Sequence, residues 1–138
     1  MNEQDTTLTF CLMDGPYEQD RIFTAFRMLD IAAHRGYQVN VFAYEGAVSL
    51  AFALQQKHPN AVHGRDVEEE DHPLPKDWIA GLFKTAADNG GKLTWINCGL
   101  CVDERGVGDA IERCERGTPA NLWQCATESS NTLIIGAR

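Results

Sequence analysis

The chain has 138 residues and a formal net charge of -8 at pH 7, with 12 Lys and Arg against 20 Asp and Glu. This length suits one domain, and the acid excess argues against a nucleic-acid partner, because phosphate contacts need clustered cations. The sequence contains neither the roughly 20 consecutive apolar residues that span a membrane nor a secretory signal. It therefore predicts a single cytoplasmic domain over residues 1–138, without membrane contact, whose best-suited partner is a basic protein.

Hydrophobic spacing predicts that strands and helices alternate through most of the chain. Stretches in which apolar and polar residues alternate predict strands, and apolar residues that recur at helical spacing predict helices. The predicted elements are, in chain order, a strand over 8–13, a helix over 22–36, a strand over 37–43, a short helical segment over 47–56, a helix over 75–90 and a strand over 93–96.

The run of residues 57–75 has no periodicity and is predicted to be a mobile surface loop. It carries three of the four histidines, His58, His63 and His72, at spacings that do not suit a metal site. Its acidic stretch, residues 66–71, is a candidate surface for steering a basic partner. The sequence thus predicts neither a metal nor a cofactor.

The end of the chain predicts two further helices and a last strand. Apolar residues at helical spacing predict an amphipathic helix over 107–114. Thr118 and Pro119 predict an N-cap and a first helical turn, followed by a helix to Ala126 and a buried strand over 132–135. Strands that alternate with helices indicate an α/β fold, with a parallel sheet covered by helices on both faces.

Two loops of interest follow strands of this predicted sheet. Ligands of such folds gather at the carboxyl ends of the strands. The loops 14–17 and 98–101 both begin at carboxyl ends, so we expect them to lie side by side. Tyr17 would then form one wall of a pocket beside the thiols of the second loop.

Cys98 and Cys101 stand where the third predicted strand turns into a helix. Unpaired N–H groups at a helix start lower a thiol pKa from about 8.5 toward neutrality, which makes these the candidate reactive thiols. Zinc is disfavoured because Cys114 and Cys125 lie on separate predicted helices. A dithiol–disulfide centre and a sulfur carrier, in which one thiol attacks the terminal sulfur of a persulfide, both stay open. Cys11 and the two helical cysteines are predicted to be inert core thiols.

Four features of the sequence resemble the DsrE/DsrF family of small sulfur-relay proteins, which includes TusD-like subunits. They are Gly15-Pro16-Tyr17 after a strand, Arg35-Gly36-Tyr37 at a helix end, the segment 41–48, and Cys98 followed seven and eight residues later by Arg105-Gly106. The resemblance implies a flavodoxin-like three-layer sandwich around a central, mostly parallel sheet of roughly four to five strands. It also implies homotrimers or hexamers and a small basic TusA-like carrier as sulfur donor.

In that family the cysteine at the position of Cys98 bears the persulfide. The resemblance therefore implies a sulfurtransferase in which Cys98 accepts sulfane sulfur and relays it to a partner protein, with Cys101 as a second catalytic candidate. The candidate pocket residues around them are Gly15, Pro16, Tyr17, Arg105 and Gly106.

Several roles stay open at this point. Cys101 either releases the sulfur by closing a disulfide with Cys98 or holds a second sulfur atom. Arg105 either lowers the pKa of Cys98 or complements the helix dipole. The alternative functions are a CxxC thiol–disulfide oxidoreductase and a non-catalytic subunit of a relay complex. A protein donor requires that Cys98 be partly exposed at the carboxyl edge of the sheet.

Overall fold

The computed structural model describes residues 4–59, 61–68 and 73–136. Five parallel strands form one sheet in the order β4-β3-β2-β1-β5. The strands are β1 (Thr7–Leu12), β2 (Gln38–Ala43), β3 (Lys92–Cys98), β4 (Cys114–Gly117) and β5 (Asn131–Ile135). The α-helices are α1 (Arg21–His34), α2 (Pro75–Asp88), α3 (Gly99–Arg105) and α4 (Pro119–Glu128). This arrangement confirms the predicted α/β fold with its parallel sheet.

Helices α1 and α2 cover one face of the sheet and bury the larger hydrophobic core. Successive strand residues point to opposite faces, so Phe10 and Leu12 enter this core while Cys11, between them, faces the other way. Trp95 of β3 is fully buried in the same core, where its indole N–H donates to the Oδ1 of Asn97 at 3.1 Å. This face supplies most of the buried apolar area and therefore most of the stability.

The opposite face has a thinner cover, made by α3, α4 and the short 3-10 helix Glu45–Ser49. A smaller cluster of buried side chains lies beneath it: Cys11, Phe42, Val48, Ile96, Cys98 and Cys101. We call this set the thiol cluster. Helix α4 contributes no buried residue, although Leu122 and Cys125 pack against the cluster from above. Elements with few buried contacts open at a lower free-energy cost than a core helix.

The prediction of an amphipathic helix over 107–114 is wrong. Gly106, in the left-handed conformation at φ 63°, ends α3, and residues 107–113 then run irregularly to β4. The N–H of Ile111 donates to the carbonyl of Ala51 at 2.9 Å, and Phe52 pairs with Ala110 as an isolated bridge. These hydrogen bonds to a distant segment outweigh the local helical spacing. The chain that follows joins the sheet as the edge strand β4.

The other expectations for the carboxyl-terminal part are confirmed only partly. Thr118 caps α4 as predicted: its hydroxyl accepts from the N–H of Ala120 at 3.3 Å, and its own N–H donates to Asn121 at 2.8 Å. The last strand exists, but its predicted burial is wrong, since β5 is an edge strand and Ile134 is 66% exposed. The predicted segment over 47–56 is reduced to the 3-10 helix Glu45–Ser49 and turns.

The loop over 57–75 is exposed at the positions that the structure describes before Leu74. A short 3-10 helix, Ala61–His63, lies within it. His72 and residues 69–71 of the acidic stretch lie outside the described residues. Among the residues with described positions, no group of three or more His, Cys, Asp or Glu could hold a metal ion. The helices within those same ranges are too short or too polar to cross a membrane.

Two thiols outside the reactive pair, Cys11 and Cys114, are expected to make the free energy of unfolding depend on pH in the alkaline range. Burial, aided by the charge of Glu45, raises the pKa of Cys11 from its ordinary 9.0 to about 11, and burial raises that of Cys114 to about 12. The unfolded chain loses these protons first, so the free energy of unfolding is expected to fall as pH rises above 9. For Cys11 alone the fall is about 3 kcal/mol.

Urea unfolding at a series of alkaline pH values measures this effect. The Cys11→Ala variant is the matched control, because it removes that thiol and should weaken the pH dependence. An equal slope in the variant and the unmodified protein would contradict the prediction.

Candidate functional site

Cys98 is the last residue of β3 and the N-cap of α3. It thus lies where the sequence predicts it, at the carboxyl edge of the sheet and at the start of a helix. Cys101 is one helical turn further along and faces the same cluster. Strand, turn and helix together therefore place two thiols in one buried cluster.

The hydrogen bonds around the pair make the two thiols unequal. Burial raises the pKa of Cys101, and the hydrogen bond with Cys98 raises it further. The backbone N–H of Glu45, which donates to the Sγ of Cys101 at 3.2 Å, acts in the opposite direction but is the smaller effect. Cys101 therefore keeps its proton at neutral pH, which leaves Cys98, at the start of α3, as the candidate nucleophile.

Both thiols lie below the protein surface. Cys98 is 1% exposed and Cys101 is 6% exposed. The partial exposure of Cys98 that a protein donor requires is therefore absent from this conformation. The thiols are covered by α3, α4 and the short 3-10 helix Glu45–Ser49. They therefore become accessible only when these helices or their side chains move.

Tyr44 and Glu45 adjoin the thiols from the end of β2, and the sequence analysis did not single them out. The Tyr44 ring lies 5.8 Å from that of Phe42, within the partly buried rim of the thiol cluster. Desolvation raises the pKa of the Tyr44 hydroxyl, and the nearness of Cys101 and Cys98 raises it further. Glu45 adopts a left-handed φ of 51° and turns its N–H toward Cys101. Both follow a strand, which is the signal that could have marked them.

Arg116 is a third residue near the thiols that the sequence pattern did not predict. In the sheet Arg116 pairs with Asn97, and the next pair is Cys98 with Gly117, so its side chain comes to the thiol edge. The arginine lies against Gly99, where an added Cβ would come within 2.6 Å of its Nε. Its guanidinium pairs with Asp103 of α3. The sequence pattern predicted a helix over 107–114 and no strand after it, so it gave no reason to place Arg116 of β4 beside Cys98.

The predicted pocket residues of the first loop lie beside the site rather than over the thiols. The Gly15 N–H donates to Glu18 at 3.0 Å, and a Cβ on Gly15 would lie 3.2 Å from the carbonyl of Gly46. This close approach joins the first loop to the segment that binds Cys101. Pro16 and Tyr17 line a separate cavity of about 270 Å³, together with residues of the 49–58 segment and the start of α2. Cys98 and Cys101 are not among its described lining residues.

Arg105 and Gly106 stand at the other end of α3. Arg105 is exposed, and its charge acts to lower the pKa of Cys101, although less strongly than burial raises it. Gly106 supplies the left-handed residue that ends the helix. The structure therefore brings Arg105 into the electrostatic field of Cys101, and Arg116 into that of Cys98.

Comparison with known proteins gives the family. The sequence model of the DsrE/DsrF-like family matches residues 7–133. The chain belongs to the DsrE/DsrF-like family. Two relatives are each 26% identical to it: MJ0989 of Methanocaldococcus jannaschii over 129 residues, 92% of this chain and 97% of that protein, and MK0008 of Methanopyrus kandleri over 130 residues, 93% of each.

Solved structures agree with this DsrE/DsrF-like assignment at the level of the fold. The ychN protein from E. coli is similar with a TM-score of 0.71 and 16% identity, covering 95% of this chain and 99% of that one. A conserved protein of unknown function from Bacteroides thetaiotaomicron, BT1422, has a TM-score of 0.56 and 12% identity, covering 94% and 95%. Membership in the DsrE/DsrF-like family supports a role of the sulfur-relay type in general.

Proposed function

We propose that this protein is a sulfur carrier that accepts sulfane sulfur as a persulfide on Cys98 and relays it to a partner protein. The observation that carries the proposal is the position of Cys98 at the carboxyl edge of the sheet and at the start of α3, in one buried cluster with Cys101, whose raised pKa keeps it protonated. Only a deprotonated thiol attacks sulfur efficiently. The family assignment supports the same type of chemistry.

The transfer conserves atoms and charge. The Cys98 thiolate forms a bond to the outer sulfur of a donor persulfide, and the S–S bond of the donor breaks. The donor leaves as a thiolate, its outer sulfur stays on Cys98 as a persulfide, and that persulfide then loses its proton to solvent. The same exchange in reverse passes the sulfur to the next thiolate, so the protein needs no cofactor for either step.

Delivery requires the cover of Cys98 to open, because the thiol is buried in this conformation. Two helices of this cover are held by few buried side chains. They are α3, which has seven residues, and α4, which has no buried residue. Their displacement would cost less than opening the α1 and α2 face. We therefore propose that docking of the donor moves these two helices.

The partner that best fits this edge is a small basic carrier of the TusA type. Helix α3 presents Asp103 and Glu104 to solvent beside the thiols, and the whole chain carries a charge of -8. Complementary charge speeds such encounters. We further propose assembly into homotrimers or hexamers, which would cover apolar side chains such as Trp123, 75% exposed, and Ile134.

Mass spectrometry tests the proposal directly. The reduced protein is incubated with a persulfide-loaded donor protein, and its intact mass is measured before and after reduction. One added sulfur atom, removed by reductant and located on the peptide that contains Cys98, is the expected result. A protein that gains no sulfur from any loaded donor would contradict the proposal.

One observation also favours a second function, a CxxC thiol–disulfide oxidoreductase. Cys98 at the N-cap of α3 and Cys101 in its first turn belong to one buried cluster, the arrangement in which a CxxC pair can close a disulfide. This function predicts a defined reduction potential for the pair and reduction of a general disulfide substrate. Absence of that reductase activity, together with sulfur uptake, favours the carrier.

A further inference from the structure

Arg116 carries a permanent positive charge beside the buried thiol that we propose to be loaded. Its stem lies so close to Gly99, the residue after Cys98, that the Cβ of any other residue there would come within 3.1 Å of its Cγ and Cζ. The guanidinium is nevertheless on the surface, where the Arg116 side chain is 58% exposed and its partner Asp103 is 63% exposed. The arginine therefore lies against the residue that follows Cys98 and is also open to solvent.

Addition of a sulfur atom to Cys98 changes the charge beside Arg116. The outer sulfur of a persulfide lies about 2 Å beyond the cysteine sulfur. A persulfide is a stronger acid than the thiol from which it forms, so the outer sulfur bears a negative charge near neutral pH. A buried anion without a counter-ion is costly. Pairing with Asp103 is the main cause that raises the pKa of Arg116, and the nearness of Cys98 adds a smaller effect in the same direction.

We propose that Arg116 is the counter-ion of the sulfur that Cys98 carries, and that it exchanges Asp103 for this sulfur when the protein is loaded. The inference rests on the proposed persulfide function, and it names the residue of this chain that neutralises the anionic sulfur. Arg105 is less well placed for this role, because it is the last residue of α3 and Cys98 is the N-cap at the other end of that helix. Gly99 is then required because it leaves the space in which the arginine lies.

A purely structural role for Arg116 makes a different prediction. The Arg116 and Asp103 pair would then only fasten β4 to α3, and removing either partner would have the same consequence. An exposed ion pair of this kind contributes little to stability. A counter-ion role instead predicts opposite consequences, since Asp103→Asn frees the arginine for the sulfur and Arg116→Gln removes it.

Inorganic polysulfide is the probe that tests this exchange. The Cys98 thiolate attacks a terminal sulfur of the polysulfide dianion, the adjacent S–S bond breaks, and a dianion shorter by one sulfur atom leaves. Near-ultraviolet absorbance of the persulfide anion is then followed against pH, and intact mass reports the lifetime of the adduct. The other titratable or charged groups near the pair, Cys11, Tyr44, Glu45 and Arg105, are the same in all variants.

Arg116→Gln is expected to raise the apparent pKa of the persulfide by about one pH unit, as loss of a neighbouring opposite charge does. Asp103→Asn is expected to lower it. The matched control is Arg113→Gln, which removes the same charge from an exposed residue of the same segment and should cause no shift. Thermal unfolding of each variant verifies that the fold is intact.

Three results would overturn the assignment: equal shifts in Arg116→Gln and Asp103→Asn, an Arg113→Gln shift as large as that of Arg116→Gln, or no loading of Cys98 by polysulfide. Because polysulfide replaces the protein donor, these results are separate from those of the relay experiment. Polysulfide loading with no uptake from any protein donor would contradict the proposed relay. The persulfide pKa values of the Arg116→Gln and Asp103→Asn variants could still be compared in that case.

Discussion

Replacing Cys98 by serine is expected to abolish the one-sulfur adduct completely. A serine hydroxyl cannot form a persulfide, and the structure brings no other thiol to the end of a strand at this edge of the sheet within the described residues. The measurement is intact mass after incubation with a loaded donor. An undiminished adduct in Cys98→Ser would mean that another cysteine carries the sulfur.

Cys101→Ser is the matched control, because it removes a neighbouring thiol of similar burial but keeps the nucleophile. We expect this variant to load normally and to keep its sulfur longer. In the unmodified protein the Cys101 sulfur can attack the inner sulfur of the Cys98 persulfide. The bond to the outer sulfur breaks, that sulfur leaves as HS⁻ with the proton that Cys101 gives up, and a Cys98–Cys101 disulfide stays behind. Neighbouring reactants make such a step fast, so the adduct should survive at least about tenfold longer without Cys101.

The protonation of Cys101 adds a pH dependence to this comparison. Burial and the hydrogen bond with Cys98 raise the pKa of Cys101, so little of it is thiolate at neutral pH. Release of sulfide should therefore accelerate as pH rises in the unmodified protein and stay flat in Cys101→Ser. Equal lifetimes at all pH values would indicate that Cys101 does not resolve the persulfide.

The two variants also separate the alternative functions. An oxidoreductase needs both thiols, so Cys98→Ser and Cys101→Ser would lose disulfide reduction to the same extent. A non-catalytic subunit predicts that Cys98→Ser leaves complex formation and cellular function intact. A carrier predicts the asymmetric result: loss of transfer in the first variant and retention in the second.

Local signals in the sequence were sufficient for much of this fold. Alternating apolar residues predicted the strands over 8–13 and 93–96, and Thr118 with Pro119 predicted the start of α4. These elements depend on side chains within a few residues of one another, so one-dimensional patterns reveal them. The placement of Cys98 follows from the same signals, because it only requires that a strand end there.

The part that could not be predicted depends on contacts between distant segments. Strand β4 forms because residues 110–111 bond to residues 51–52, and no local pattern reports those bonds. Arg116 reaches the thiols only through the register of β4 against β3. Tyr44 reaches them because β2 and β3 end at the same edge. The thiols themselves could be found from the sequence, whereas the charges around them required the sheet order.

Gly91→Ala is expected to lower the free energy of unfolding more than a Gly→Ala substitution at any other glycine in a turn of this chain. Gly91 lies just before β3, and a Cβ there would come within 2.3 Å of the carbonyl oxygen of Tyr37 and 2.8 Å of the carbonyl carbon of Gly36. Both are backbone atoms, which cannot rotate away as a side chain can. Overpacking of this kind costs about 3 kcal/mol, and we expect the urea midpoint to fall accordingly.

Gly81→Ala is the matched control for this prediction, because it adds the same methyl group to an exposed position of α2 with no atom within 4 Å. Alanine favours a helix interior over glycine by roughly 0.5–1 kcal/mol, so this variant should be more stable. Destabilisation by Gly81→Ala, or none by Gly91→Ala, would contradict the packing argument. The contact at Gly91 also bears on function, since it sets β3 against the chain entering β2 at the opposite end from Cys98. A Gly91→Ala protein that still folds should therefore load sulfur more slowly, because displacement of β3 shifts Cys98, its last residue, relative to β4 and Arg116.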